Sequence, residues 1–120
     1  MTMARLSTHV LDTTSGTPAG GVRVLLHRQS AHGEPTPVCE RATNRDGRTD
    51  APLLSGTAIE TGRYRLTFHV GDYFRQRGVT MPDPPFVDIV ELHFGIADAG
   101  GDYHVPLLVS PWSYATYRGS

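Results

Sequence analysis

Six histidines are spread through this 120-residue chain, and two of them occupy unusual surroundings. His9 lies in "RLSTHVLD" and His104 in "YHVPLLVS", two strand-like stretches that are apolar on both phases. An imidazole titrates close to neutral pH and can take a proton from water, most usefully where bulk solvent is held back. His27, His69 and His93 instead sit on the polar phase of alternating stretches, and His32 falls in a Gly/Pro loop, so these four read as solvated side chains. Arg48 follows the Asp46-Gly47 turn of "TNRDGR". A guanidinium projecting from such a turn is a forked donor for a carboxylate, urea-like or enolate oxygen.

Other chemistries find less support. All 11 basic residues are arginine, which excludes lysine Schiff bases. No HxH or HExxH spacing is present, so no metal is expected, and no GxSxG elbow offers a serine nucleophile. The residues alone leave two readings open. His9 and His104 either form a proton-transfer pair in a dry cleft or hydrogen-bond at an oligomer interface.

The elements that must carry these side chains are strands. With 13 Gly and 9 Pro interrupting short alternating runs, the punctuation is that of a β protein. In the first stretch Leu6, Thr8 and Val10 oppose Ser7, His9 and Leu11. "VRVLLHR" sets Val22, Val24 and Leu26 on one face. "RYRLTFHV" points Tyr64, Leu66, Phe68 and Val70 inward, with Arg63, Arg65, Thr67 and His69 outward. "VCERATN" is a weaker strand, and "GDYFRQRG" is the one short helical stretch, about two turns long. "FVDIVELHFGI" carries Val90, Leu92, Phe94 and Ile96 on its apolar side. "YHVPLLVS", a turn at Pro111 and "WSYATYR" form a closing hairpin. Seven or eight such strands predict one all-β domain, a two-sheet sandwich spanning residues 1-120. Pro106, inside a strand, belongs at an edge, beside a bulge, or where its nitrogen meets no neighbouring strand.

Val105, Leu107 and Val109 already supply a core-facing phase, yet His104 shares the other phase with Pro106 and Leu108; His9 likewise sits beside Leu11. A second apolar face on a small sandwich needs a cover, and a second copy of the chain is the simplest one. The formal net charge of -1 offers no general field for nucleic acid or anionic lipid. No apolar run approaches the roughly 20 residues of a membrane span, and no apolar leader opens the sequence. The lone Cys39 cannot close an internal disulfide. Together these predict a cytoplasmic protein without nucleic-acid or membrane partners.

The stretches "LSTHVLDTTSGTPAGGVRVLL", "TNRDGR" and "YHVPLLVSPWSYATYRGS", with "YRGS" at the end, resemble the 5-hydroxyisourate hydrolases of the transthyretin-like family. The similarity runs through almost the whole chain in order, and the histidine-bearing motifs together with the end tetrapeptide make it specific. It implies a transthyretin-like sandwich of two four-stranded sheets with one short helix. It also implies a homotetramer, a dimer of dimers facing across a channel lined by the first and the last two strands. The implied activity is hydrolysis of the cyclic amide of 5-hydroxyisourate in urate breakdown, with no metal or organic cofactor. Carried over by the motifs, His9, Arg48 and His104 are the catalytic residues. Tyr117, Arg118, Gly119 and Ser120 bind substrate, and Ser7, two residues from His9 on the same face, is expected to orient that imidazole. The alternative is a transthyretin-like carrier for a small aromatic ligand, which would not need two imidazoles and a cation at one channel.

Overall fold

The computed structural model describes residues 4–119. Among them the chain forms strands β1 (Arg5–Asp12), β2 (Thr17–Pro18), β3 (Arg23–Arg28), β4 (Thr36–Ala42), β5 (Leu54–Ser55), β6 (Gly62–His69), β7 (Ile89–Ile96), β8 (Asp102–Val109) and β9 (Tyr114–Thr116). One helix, α1 (Val70–Gln76), and a 3-10 turn at Gly56–Ala58 complete the elements. One sheet runs β2-β1-β8-β9 with β5 also on β1, and the other runs β4-β3-β6-β7. The first sheet thus has five strands rather than the expected four. The extra strand, β5, is two residues long and too short to show a period in sequence.

The alternation does what its phases predict. Leu6, Val10, Val24, Leu26, Tyr64, Leu66, Phe68 and Leu107 are all fully buried between the sheets. Each large apolar side chain removed from water contributes about 1.5–3 kcal/mol, which is the main reason these phases face inward. Thr8 shares that interior and donates its hydroxyl to the Val105 carbonyl at 2.7 Å. Thr67 is on the outward phase as expected but is nonetheless buried, lying between Leu25 and Glu91 in the ladder.

Strands β1 and β8 are parallel and in register over eight residue pairs, from Arg5 with Asp102 to Asp12 with Val109. Their outward phases therefore coincide, and Ser7, His9 and Leu11 share one face with His104, Pro106 and Leu108. At the far end of β1, Asp12 is buried but fully engaged. Its carboxylate accepts the Thr14 and Ser15 amides and the Tyr73 hydroxyl, the last at 2.8 Å. Burial and this carboxylate push the Tyr73 phenol up to about 12, so it remains a donor that ties α1 to β1.

The opposite edge of β1 is met three times by the chain. β2 pairs with Leu11 and Asp12, β5 pairs with Arg5 and Leu6, and Arg48 bridges His9 in the gap between them. The local topology thus carries the Arg48 turn to the histidine.

Pro106 sits on an interior strand, between β1 and β9. Its ring nitrogen has no hydrogen to give, and the β8–β9 ladder stops at Leu107 with Thr116, resuming where His104 bridges Gly119. The register is unchanged across the gap. Thr116 covers part of it by donating its hydroxyl to the Pro106 carbonyl at 2.8 Å.

Candidate active site

The outward face of β1 and β8 brings four of the sequence-picked residues together. The rings of His9 and His104 lie 6.5 Å apart, centre to centre, tilted by 32°. Arg48 stands opposite His9 across the edge of β1, where Gly47 accepts the Val10 amide at 2.8 Å. Gly47 has φ +74, and a Cβ there would run into the Val10 carbonyl, so only glycine lets the turn approach this closely. Ser7, His104 and Arg48, with Arg5, Thr8 and Asp50, line a cleft of about 290 Å³.

Ser7 touches a different histidine from the one its sequence position suggests. Its Oγ is 2.8 Å from Nδ1 of His104, its register partner on β8, rather than on His9. With Nδ1 engaged, the ring's Nε2 is left for the cleft. Gly119 also joins the group, donating its amide to the His104 carbonyl at 2.8 Å and passing so close to the ring that a Cβ would sit 2.7 Å from Cδ2.

Tyr117 and Arg118 do not join them within one chain. Arg118 pairs in register with the inward phase of β8, and its guanidinium stacks 4.2 Å over the Tyr103 ring while Nη2 donates to the Asp102 carbonyl at 3.3 Å. Tyr117, largely exposed, lines with Arg118 a separate cavity of about 600 Å³ between β7 and β9. Ser120 lies outside the described residues.

Electrostatics favour neutral imidazoles. His9 is held below its ordinary value by burial first and by the Arg48 charge second, with the Asp46 backbone pulling the other way. His104 is lowered by burial, then by Arg48 and His9, with Asp102 opposing. Both rings are half-buried, and both therefore keep a free lone pair near neutral pH. Two neutral bases beside the Arg48 cation can draw a proton from water while stabilising a developing oxyanion. Among the described residues no three His, Cys, Asp or Glu side chains gather closely enough to hold a metal ion.

The profile of the HIUase/Transthyretin family matches residues 6–119. The chain belongs to this family. It is 56% identical over 118 residues to the 5-hydroxyisourate hydrolase of Ralstonia nicotianae, covering 98% of this chain and all of that one. It also superposes on the solved structure of Klebsiella pneumoniae 5-hydroxyisourate hydrolase with a TM-score of 0.80 and 33% identity, covering 98% and 99% of the two chains. Transthyretin from Sparus aurata is likewise similar, with a TM-score of 0.85, 30% identity and 97% of each chain covered. Family membership thus bears out the resemblance and the transthyretin-like fold, while the fold itself is shared by proteins of different function.

One residue that holds the site escaped the sequence reading. Asn44 opens the turn before Arg48 and bonds to it repeatedly. The signal available was an Asn two residues ahead of Asp46-Gly47, the place from which a short amide closes a turn.

Proposed function

We propose that this chain is a 5-hydroxyisourate hydrolase that opens the substrate's six-membered ring by adding water across its cyclic amide. The observation that carries the reading is the meeting of His9, His104 and Arg48 on one outward face. The high identity to hydrolases of that name supports it.

The geometry supports the following roles. One neutral imidazole takes a proton from water as the oxygen bonds to the ring carbonyl (C6). The Arg48 guanidinium holds the resulting oxyanion, where a positioned donor is worth about 10²–10³-fold. The C6–N1 bond then breaks, and the proton taken from water passes to N1. Proton transfer of this kind contributes about 10²–10⁴-fold. Ser7 fixes the His104 ring, and Gly119 lets the tail lie against it.

The same reading includes a homotetramer whose facing subunits cover the site and bring Tyr117, Arg118 and Ser120 to it. The supports are surfaces that one chain leaves open. Phe86 is 75% exposed and stacks on Trp112, itself 60% exposed. Among the described residues, the outer edges of β7 and β9 have no strand beside them. A cytoplasmic location completes the reading, supported by the free thiol of Cys39.

The test generates 5-hydroxyisourate from urate with urate oxidase and follows its decay by absorbance, with His104→Ala as comparator. Accelerated decay that the variant loses is the expected result. Decay at the buffer rate from a folded protein would overturn the reading. It would favour the carrier alternative that the similarity to transthyretin keeps open.

A further inference from the structure

The Arg48 side chain is exposed, and among the described residues no carboxylate pairs with it. What the fold fixes of this cation is therefore the backbone it springs from, and one side chain, that of Asn44, ties that backbone together from within the turn. The Asn44 side-chain oxygen accepts the amides of Asp46 at 2.9 Å and Arg48 at 3.3 Å. Its main-chain N–H donates to the Arg48 carbonyl and its own carbonyl accepts from Gly47, both at 2.8 Å. Its Nδ2 donates to Asp50 at 3.0 Å, reaching past the turn to the segment that walls the cleft. Asp46-Gly47 would make a turn without this side chain, but accepting from Arg48 while donating to the Asp50 carboxylate takes a side-chain amide at position 44.

The turn is also pinned from outside. A Cβ on Gly20 would lie 2.9 Å from the Asn44 carbonyl, so the two backbones are in close contact there. On the other side Gly47 bonds β1 next to His9. Asn44 thus closes a loop that is wedged between a glycine and the strand bearing the first histidine.

The geometry points to Asn44 as a positioning residue that sets where the Arg48 cation sits relative to His9 and His104. This rests on the hydrolase reading above. A displacement of about 1 Å in a catalytic group costs about 10²-fold, so Asn44→Ala should lower kcat by about 10- to 100-fold while KM changes far less. Because the effect runs through Arg48, adding Asn44→Ala to Arg48→Ala should cost less than about twofold further. Amide exchange at Asp46, Gly47 and Arg48 should accelerate in Asn44→Ala, with Val105 and Leu107 still protected. The swap Asn44→Asp with Asp50→Asn keeps an acceptor at 44 and reverses the contact between 44 and 50, so it should recover most of the kcat lost.

An active wild type with an equally active Asn44→Ala overturns this proposal alone. So does an equal loss from Asn44→Ala with and without Arg48, which would mean a structural role only. A wild-type chain that leaves substrate decay at the buffer rate overturns the hydrolase reading and this proposal with it.

Discussion

Ser7 and His104 face each other across the parallel β1–β8 ladder, with Ser7 Oγ 2.8 Å from Nδ1 of the imidazole. The contact engages Nδ1 and leaves Nε2 for the proton transfer proposed above. A single hydrogen bond of this kind is worth about 0.5–1.5 kcal/mol, roughly two- to tenfold in rate if it counts fully in the transition state. Ser7→Ala should therefore reduce kcat by that factor with little change in KM, read from steady-state decay of 5-hydroxyisourate. Ser7→Thr, which keeps a hydroxyl, should restore part of it. A Ser7→Ala protein with wild-type kcat would show that packing alone holds the ring.

On the proposed mechanism the two imidazoles set the pH response. Burial leads the depression of both, and Arg48 is the second cause in each case. Activity should be flat through neutral pH and fall only below the ordinary histidine value of 6.5, as the bases become protonated. The effect on folding has the same sign. The unfolded chain binds protons at ordinary histidine values while the folded sites do not, so stability is lost as pH falls through 6.5 and is unaffected by these groups above it. Following the ring protons by NMR should give both midpoints below 6.5, and Arg48→Gln should move both upward. Wild-type midpoints at or above 6.5, or midpoints indifferent to Arg48, would contradict this account.

The sequence was legible wherever a side chain's phase alone decided its place. Leu6 and Val10, or Tyr64, Leu66 and Phe68, are buried because a strand's alternation has no other solution in a two-layer fold. The pairing of His9 with His104 was legible for the same reason, from two strands apolar on both phases. What could not be read was register. Ser7 and His9, two residues apart on one strand, are separated by about 6.6 Å along it, whereas a register partner on the next strand is about 4.8 Å away. The hydroxyl accordingly finds His104, 97 positions later, instead of His9. Register also decides the tail, since Gly119 opposite His104 puts Arg118 on the other phase, over Tyr103. β2 and β5, at two residues each, carry no period at all, yet they flank the place where Arg48 meets His9.

The tail makes the last test. The β8–β9 register passes unbroken over Pro106 and delivers Gly119 onto His104, with its amide bonded to the histidine's carbonyl. A Cβ on Gly119 would sit 2.7 Å from Cδ2 of that ring, closer than side chains tolerate, so either the imidazole or the tail must shift. Gly119→Ala should then lower kcat by up to about 10²-fold, because the ring it displaces is the proposed base or its partner. Since the residue is at the sheet's end and outside the core, the melting midpoint should move by no more than about 4 °C. Removing residues 117–120 should show the same pattern. Wild-type kcat in Gly119→Ala would mean that the tail can leave the histidine without consequence, and that its glycine is there for the chain end rather than for the site.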